Sequence, residues 1–343
     1  MHENQIIVAV PTLAAGPELL ACVESLLAQS WSDFEIVVID NSGQNLARKR
    51  LSTLPETSVK SRLRILENHE NIGFGMAVNQ SYAGTSAPFV ATLNDDAVAS
   101  AGWLAELLLA IGTSPDLGMC ASQVRLLGEN CLDSAGMLIC SDGSSRQRGH
   151  LQPPGAFDRP EEVLLPSGSA ALYRRRMLDQ IGGFDQDFFL YCEDTDLGLR
   201  ARWAGWRCAY APKAVVHHHY SRTAGRASAL KAYYVERNRL FLVVKNFPGR
   251  ALAMAPLVAL ARYGWHALLL IRGRGSAARY RDEGNGGLSL ILLVLRAHWA
   301  LASSWRTVWR KRRQIQRTAT LSPASFLQLL HTYSIGARQV AEL

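Results

Sequence analysis

The sequence has few cysteines, and none of them stand at the spacing of a metal or redox motif. Its six cysteines are scattered through 343 residues without a Cys-x-x-Cys pair. This pattern argues against a zinc ribbon and a disulfide-stapled scaffold, and it favours reduced thiols. The N-terminal segment also lacks the basic and then apolar layout of a secretory signal peptide, so we expect a cytoplasmic protein.

The glycine motifs that bind phosphate are missing as well. Neither Gly-x-Gly-x-x-Gly nor Gly-x-x-x-x-Gly-Lys-[Ser/Thr] follows the first apolar run. Dinucleotide-dependent dehydrogenases and P-loop nucleotide hydrolases are therefore disfavoured. The sequence also shows no internal repeat and no low-complexity tract.

Charge is unevenly distributed along the chain. Lys and Arg total 37 against 29 Asp and Glu, which gives a net charge of +8. Much of the excess lies in the last third of the chain, and such a basic surface suits an anionic partner such as a nucleotide, a nucleic acid or an acidic membrane. Hydrophobic residues make up 48% of the chain, which is enough for a substantial core.

The first 110 residues alternate short apolar strands with amphipathic helices. Helices are predicted from about Pro17 to Gln29 and from about Gly75 to Tyr82. The predicted strands are Ile6–Val10, Phe34–Ile39, Leu63–Leu66 and Phe89–Leu93. This order predicts an α/β fold with a doubly wound, mostly parallel, Rossmann-like sheet that helices cover on both faces. Residues 128–166 are rich in Gly, Ser and Pro and predict irregular strands and a mobile loop.

The C-terminal third has a helical pattern with two apolar stretches, Ala251–Ile271 and Leu288–Ala302. Polar residues interrupt the first stretch, and the second is shorter than the about 20 residues of a membrane span. Tryptophans interleaved with arginines favour amphipathic helices lying on an anionic membrane surface. An ordinary helical subdomain with a solvated basic face is the alternative. We predict an α/β domain over residues 1–225 and a helical membrane-associating region over residues 226–343.

One apolar strand ends in acid, at Asn94-Asp95-Asp96. Ligands of open α/β sheets bind beyond the carboxyl ends of the strands. Side chains alternate along an extended segment, so Asn94 and Asp96 point to one side and could hold a hard cation that carries a diphosphate. The alternative is an Asn-Asp turn that only ends the strand.

Other polar residues also follow apolar segments. Thr12 ends the first strand, and Asp40 ends the second, where its carboxylate could accept a hydrogen bond from a base or a ribose hydroxyl. Capping of the next turn is the alternative for Asp40. The glycine-containing loop from Asn68 to Gly75 opens a helix and allows close backbone approach to a nucleotide.

A second acidic cluster, Glu193-Asp194-Thr195-Asp196, stands at a predicted helix start. The helix dipole favours the charged carboxylates, whereas their mutual repulsion raises the pKa of at least one of them. Glu193 and Asp194 are candidate general bases, with helix capping as the alternative. Asp196 and Arg200 are predicted to form a surface ion pair. One histidine of the run His217–His219 could add an imidazole to a metal site.

Taken in order, these motifs resemble the family 2 inverting nucleotide-sugar glycosyltransferases, which have the GT-A fold. The resemblance extends from Val8 to about Tyr220 and includes three longer segments. These are Asn71-Ile72-Gly73-Phe74, Leu93 to Asp96 with Gly102-Trp103-Leu104, and the run from Gly182-Gly183-Phe184-Asp185 to Glu193-Asp194-Thr195-Asp196-Leu197 and Arg200.

The resemblance implies a role for each matching residue. Asp194 would be the catalytic base, with Glu193 beside it. Asp96, Asn94 and His218 would hold a divalent metal, Mg²⁺ or Mn²⁺, on the donor diphosphate. Donor binding would involve Thr12, Asp40, Asn71, Gly73, Asn79 and Asp95. The sequence departs from the family pattern where Asn94 replaces the first acid, where Leu13-Ala14 replaces Tyr-Asn, and where no acid follows Ser42.

The segment from Lys231 to Arg239 resembles the Tyr-x-x-Arg-Asn segment of rhamnosyl- and galactofuranosyl-transferases that build bacterial polysaccharides on lipid carriers. The resemblance implies transfer of a sugar, with rhamnose the leading candidate, from a UDP- or dTDP-sugar to a lipid-linked or polysaccharide glycan. We expect a peripheral protein on the inner face of the cytoplasmic membrane that binds anionic lipid and no nucleic acid, with a homo-oligomer left open. The alternative is a non-catalytic sugar-nucleotide-binding or membrane-docking protein of the same fold.

Overall fold

The computed structural model describes residues 5–54, 62–219, 228–284 and 287–342. Its contacts divide the chain into two compact units. The first comprises Met1–Gly136, Gln147–Phe189 and Trp206–Thr223, and the second comprises Met137–Arg146, Leu190–Gly205 and Ala224–Leu343. The predicted boundary between residues 225 and 226 lies outside the described residues, so it stays a prediction.

Strands and helices alternate over much of the first 111 residues, a run of mostly short strands follows as far as β11, and the described elements after β12 are helices. The strands are β1 (Ile6–Thr12), β2 (Phe34–Asp40), β3 (Leu63–Glu67), β4 (Phe89–Leu93), β5 (Ala97–Ala99), β6 (Leu117–Leu126), β7 (Leu132–Ser134), β8 (Met137–Ile139), β9 (Ser145–Gln147), β10 (Glu161–Glu162), β11 (Ala170–Arg174) and β12 (Arg207–His218). The helices are α1 (Pro17–Leu27), α2 (Leu46–Leu51), α3 (Phe74–Tyr82), α4 (Trp103–Ile111), α5 (Arg175–Ile181), α6 (Glu193–Trp203), α7 (Ala229–Asn246), α8 (Gly249–Ile271), α9 (Gly275–Asp282), α10 (Gly287–Thr318), α11 (Pro323–Thr332) and α12 (Ala337–Glu342).

The first unit is built on one mixed sheet. Its strand order is β10-β12-β6-β11-β4-β1-β2-β3, with β5 paired to β12 and β7 paired to β6. Parallel pairing joins β1 to β2 and β4, β2 to β3, and β12 to β6. Strand β11 runs antiparallel to both β4 and β6. The predicted α/β fold with a mostly parallel sheet is confirmed.

The central strands are buried on both faces, which explains their continuous apolar runs. Every residue of β1 is buried. Helix α1 packs Leu19, Val23 and Leu26 into the same core, because residues three and four apart share one face of a helix. The predicted strands and helices of the first 110 residues are therefore confirmed in type and order.

Strand β6 is the longest strand of the sheet's centre that the sequence analysis did not predict. Its centre contains the polar residues Ser122 and Gln123, which interrupt the apolar run that would announce a buried strand. Both side chains are buried with partners. The Ser122 hydroxyl accepts a hydrogen bond from Trp103 Nε1 (2.8 Å), and Gln123 Nε2 donates one to the Tyr210 hydroxyl (3.1 Å).

The second unit is mainly helical, as the sequence predicted. Helices α8 and α10 are both long and apolar enough, by length and composition, to cross a membrane. Pro256 lies inside α8 without ending it. Helix α10 continues well beyond Ala302. The helix is therefore long enough to span a membrane, although the apolar stretch Leu288–Ala302 was predicted to be too short. Together the two helices fit a membrane-associating region.

Candidate active site

Three strands bring predicted site residues to one edge of the sheet. Because β1 pairs in parallel with both β2 and β4, the carboxyl ends of all three strands point the same way. The register sets Thr12 opposite Asp40, and the segment Asn94–Asp96 directly follows β4. This edge is where open α/β sheets bind ligands.

Thr12 and Asp95 are joined directly. The Thr12 hydroxyl donates a hydrogen bond to Asp95 Oδ2 (2.5 Å) and accepts one from the Ala15 backbone N–H (3.1 Å). Burial raises the pKa of Asp95 to about 6; the Thr12 hydrogen bond opposes this rise and the neighbouring Asp96 carboxylate adds to it. The two residues thus form a hydrogen-bonded polar pair at the end of β1.

Asp96 and His218 form the central pair of the first unit's site. Asp96 Oδ1 lies 3.1 Å from His218 Nε2, and both side chains are largely buried. The Asn94 amide nitrogen lies 3.2 Å from the same Nε2 atom. The predicted metal residues Asp96, Asn94 and His218 are therefore brought together around one nitrogen atom.

Strand pairing explains why His218, and neither of its neighbours, reaches this point. Strand β12 runs antiparallel to β5 with His218 opposite Ala97, and the His219 backbone N–H donates to the Asp96 carbonyl oxygen (3.0 Å). Side chains alternate along a strand, so His217 points to the opposite face. His218 was chosen from the family resemblance alone, and the strand pairing now supplies a physical reason for it.

Asp133 of β7 completes this arrangement and was missed by the sequence analysis. Its buried carboxylate oxygen Oδ2 accepts a hydrogen bond from His218 Nδ1 (2.8 Å), and His150 Nδ1 lies 3.1 Å from the Asp133 carbonyl oxygen. Burial would raise the pKa of Asp133, but the two histidines outweigh it and lower the pKa to about 2. Burial would likewise lower the pKa of His218, but Asp133 and Asp96 raise it to about 10.

The Asp40 carboxylate is occupied by the protein backbone. Its two oxygens accept hydrogen bonds from the N–H groups of Ser42 (2.9 Å) and Ala47 (2.7 Å), and the side chain is 1% exposed. The capping interpretation of Asp40 therefore has direct contacts behind it. Contact with a nucleotide base stays a prediction, since each carboxylate oxygen can accept more than one hydrogen bond.

The glycine loop before α3 is shaped by a close approach. Gly73 has φ = +84°, and a Cβ atom there would lie 2.2 Å from the Phe189 carbonyl oxygen, so glycine is required. Asn71 Oδ1 accepts from the Gly73 N–H (2.9 Å). The Asn79 amide binds both the N–H (2.9 Å) and the carbonyl oxygen (2.8 Å) of Phe184. Asn71 and Asn79 thus have structural partners, and their donor contacts stay predictions.

The acidic helix start in the second unit follows a strained turn. Tyr191 and Cys192 both have positive φ angles, +67° and +63°, which are unfavourable for residues other than glycine. The buried Asn238 amide of α7 donates to the carbonyl oxygens of Leu190 (2.8 Å) and Tyr191 (2.7 Å). This contact gives a physical role to Asn238 in the Tyr-x-x-Arg-Asn segment, because it holds the turn before the candidate base.

Glu193 and Asp194 differ in their surroundings. Glu193 is buried, and its Oε2 atom has no hydrogen-bond partner within the described residues. Burial, with a smaller contribution from the Asp194 charge, raises the pKa of Glu193 to about 8. Asp194 is partly exposed, and its Oδ1 accepts a hydrogen bond from the Thr195 N–H (2.6 Å). The predicted mutual repulsion of these acids therefore acts on Glu193, while Asp194 is the more accessible carboxylate.

Asp196 does not form the predicted surface pair. Its side chain is fully buried, with one oxygen 2.7 Å from Arg200 Nε and the other 2.7 Å from Lys245 Nζ and 2.9 Å from Asn246 Nδ2. Helix α7 supplies both Lys245 and Asn246. The sequence pattern of α6 alone therefore could not show that α7 buries Asp196. The pair is structural, as expected, but it lies in the interior.

Comparison with known families decides the class of protein. The model of a family described as "Glycosyltransferase like family 2" matches residues 3–241 of the chain. The chain belongs to this family. As a family 2 glycosyltransferase it is an enzyme, and the resemblance drawn from the strand-end motifs is confirmed.

Among its relatives is a Mycobacterium tuberculosis protein named N-acetylglucosaminyl-diphospho-decaprenol L-rhamnosyltransferase. The two are 30% identical over 255 residues, covering 66% of this chain and 80% of the relative. Among solved structures, GalNAc-T7 with UDP, GalNAc and Mn²⁺ has a TM-score of 0.58 at 14% identity and covers 73% of this chain and 49% of that one. The Pyrobaculum calidifontis mannosyltransferase PcManGT with GDP-Man and Mn²⁺ has a TM-score of 0.51 at 17% identity, covering 96% and 87%. These structures show the GT-A fold.

The residues of this site fit a metal ion that is bound partly by the protein and partly by the phosphates of a substrate. Within the described ranges no group of three or more His, Cys, Asp or Glu side chains could hold a metal ion. However, Mg²⁺ is commonly bound by one or two protein ligands together with substrate phosphates. Asp96 offers a carboxylate beside His218 Nε2, and Asp133 holds the opposite ring nitrogen, which is typical of metal-ligating histidines.

Glu193 makes the stability of the glycosyltransferase depend on pH. Its folded-state pKa of about 8 lies above the ordinary 4.5, so between these values the folded protein holds a proton that the unfolded chain releases. The contribution of the Glu193 proton to the free energy of unfolding is therefore complete below about pH 4.5 and is lost as the pH rises through about 8. We expect Glu193→Gln to gain melting temperature relative to the parent as the pH is raised across this window. A melting difference that is constant with pH would contradict the raised pKa.

Proposed function

We propose that the protein is an inverting glycosyltransferase that moves a sugar, with rhamnose the leading candidate, from a UDP- or dTDP-sugar to a hydroxyl group of a lipid-linked or polysaccharide acceptor. The observation that carries the proposal is the pairing of the Asp96 carboxylate with the His218 imidazole where the sheet binds ligands. The M. tuberculosis relative, named for rhamnosyl transfer to a diphospho-decaprenol lipid, supports the choice of sugar and acceptor.

In this proposal the first unit binds the donor. Thr12, Asp40, Asp95 and the loop before α3 would contact the nucleotide. Asp96 and His218, with Asn94 beside them, would hold Mg²⁺ or Mn²⁺. A cation held there would supply the positive charge that offsets the charge building on the leaving diphosphate. Asp133 keeps His218 oriented through the Nδ1 hydrogen bond, so that Nε2 stays directed toward Asp96.

Asp194 is the proposed general base. It is partly exposed, so its carboxylate can receive the proton of the attacking acceptor hydroxyl. A single base is sufficient for direct displacement, which inverts the anomeric carbon, whereas retention through a covalent intermediate requires a second group that acts as nucleophile. Glu193 holds its proton at neutral pH, so in this proposal it does not compete for the role.

A membrane location accounts for the C-terminal helices. The named acceptor of the relative is attached to a polyprenyl lipid, and helices α8 and α10 are apolar enough to associate with a bilayer. In the proposal the enzyme acts on the inner face of the cytoplasmic membrane.

A donor panel tests the proposed reaction. The full chain is incubated with N-acetylglucosaminyl-diphospho-polyprenol and, in turn, dTDP-rhamnose, UDP-galactofuranose, UDP-N-acetylglucosamine and GDP-mannose. We expect transfer from a dTDP- or UDP-sugar with inverted anomeric configuration, lost on chelation and restored by Mn²⁺. Transfer with retained configuration, or transfer that EDTA leaves unchanged, would contradict the mechanism; transfer only from GDP-mannose would contradict the donor class.

Replacing Asp133 is expected to weaken metal binding. Asp133→Asn removes the charge that holds His218 Nδ1, and loss of such a partner typically lowers metal affinity by about 10- to 100-fold. The Mn²⁺ affinity of the full-length protein is measured by electron paramagnetic resonance with UDP or dTDP present. This measurement does not depend on turnover. The exposed Asp158 provides the control, Asp158→Asn, for which no change is expected. Equal affinities in both variants would remove Asp133 from the metal site.

A further inference from the structure

Helix α10 carries one exposed strip that changes character along its length. Positions 288, 292, 295, 299, 306, 310, 313 and 317 fall within about 60° around a helix of 3.6 residues per turn. The first four are Leu288, Leu292, Leu295 and Trp299, which are 59–74% exposed. The last four are Arg306, Arg310, Arg313 and Arg317, all exposed. The strip is thus apolar in its N-terminal half and cationic in its C-terminal half.

The opposite face of α10 is packed within the second unit. Ala297, Val308 and Ile315 are buried there. The buried Arg312 guanidinium donates hydrogen bonds to the carbonyl oxygens of Val244 (2.8 Å) and Phe247 (2.7 Å). Helix α10 is therefore fixed through one face, and the exposed strip is the face that remains for a partner.

Two tryptophans and the four arginines form the cationic end. Trp305 and Trp309 stack with their ring centroids 5.2 Å apart, and with the arginines they line an open groove of about 610 Å³. No acidic side chain within the described residues forms an ion pair with Arg306, Arg310 or Arg313. Such a row is complementary to lipid phosphates, and tryptophan prefers the region between phosphates and acyl chains.

The order of apolar and cationic residues along α10, and the length of its apolar half, distinguish a helix lying flat on a bilayer from one inserted at an angle. A helix lying flat has apolar residues along one face and cations on the other, whereas α10 places both on one strip in succession. From Leu288 to Trp299 the helix rises about 17 Å at 1.5 Å per residue. This is close to half of the roughly 30 Å hydrocarbon core. Arg296, in the same stretch, is held with its guanidinium over the Tyr233 ring (4.4 Å).

We propose that α10 inserts its N-terminal half into one leaflet of an anionic phospholipid bilayer and places the arginine row at the lipid phosphates. The helix is then steeply tilted and does not cross the membrane. This inference goes beyond the proposed reaction and does not depend on the donor, the acceptor or the base.

Vesicle binding tests the arginine row. With vesicles of phosphatidylcholine and phosphatidylglycerol, the full-length double variant Arg310→Gln/Arg313→Gln is expected to bind roughly tenfold or more weakly than the parent. The control Arg272→Gln/Arg274→Gln removes the same charge from exposed positions outside α10 and is expected to bind nearly as the parent does. Equal losses in both variants would overturn the assignment of the row, as would unchanged binding of the first.

Depth measurements test the tilt. Leu292→Trp and Ala302→Trp each add one tryptophan to the exposed face of α10, ten positions apart, and the added fluorescence is measured against the parent in vesicles with bromines at shallow or deep acyl positions. We expect the Leu292→Trp signal to be quenched best by deep bromines and the Ala302→Trp signal by shallow ones. Equal depth for both would show a flat helix and overturn the proposal. Neither result depends on sugar transfer, so a failed donor panel leaves this test intact.

Discussion

Asp194→Asn should lower the rate of sugar transfer by roughly 10²- to 10⁴-fold, the usual contribution of a positioned general base. The asparagine oxygen can still accept the Thr195 backbone hydrogen bond that Asp194 Oδ1 accepts now (2.6 Å). The fold of the helix start should therefore survive, while the group that receives the acceptor proton is lost. The measurement is kcat with the best donor of the panel, together with donor affinity, which should remain close to that of the parent.

Glu193→Gln is the matched comparison for this prediction. Because the pKa of Glu193 is about 8, glutamine imitates the form that predominates at neutral pH, and we expect a loss of less than about tenfold. A larger loss in Glu193→Gln than in Asp194→Asn would reverse the assignment of the base. Wild-type turnover in Asp194→Asn would exclude Asp194 from proton transfer.

Asp196→Ala should lower the free energy of unfolding by about 3–5 kcal/mol, the usual effect of removing one partner from a buried ion pair. The reason is that the Lys245 ammonium, which lies 2.7 Å from Asp196 and is fully buried, loses this carboxylate and stays in the interior. Arg200 and Asn246 lose a hydrogen-bond acceptor at the same time. Urea unfolding followed by circular dichroism measures the change.

The chain contains a control of the same spacing. Arg175 and Asp179 also form an i,i+4 pair (2.7 Å), but the Asp179 side chain is 58% exposed. Surface pairs of this kind contribute about 0.3–0.5 kcal/mol, so Asp179→Ala should leave the midpoint almost unchanged. If the two variants shifted the midpoint equally, burial of the Asp196 pair would have no energetic consequence.

The two i,i+4 pairs show where local pattern stops being informative. Asp196–Arg200 and Arg175–Asp179 have the same i,i+4 spacing, with acid and base in opposite order, and a surface position is the usual expectation for both. What separates them is the packing of α7, whose Lys245 and Asn246 lie about 50 positions from Asp196. The spacing of residues within one helix does not show whether another helix packs over them.

Asp133 was missed for a related reason. It stands in a Gly- and Ser-rich stretch without a strand-like apolar run, and its partner His218 is 85 positions away. By contrast, the positions of Thr12, Asp40 and Asp96 at strand ends could be predicted, because a continuous apolar run marks the buried strand of each. Parallel pairing of those strands then brings their ends together.

The sequence by itself determined the order of strands and helices, the edge of the sheet at which acids gather, and membership of a glycosyltransferase family, because apolar runs and motif order are local properties of the chain. Only the tertiary structure decided that burial raises the pKa of Glu193, that Asp196 is buried against Lys245, and that Asp133 is hydrogen-bonded to His218. Ionisation and orientation depend on burial and on charges that folding brings from distant segments.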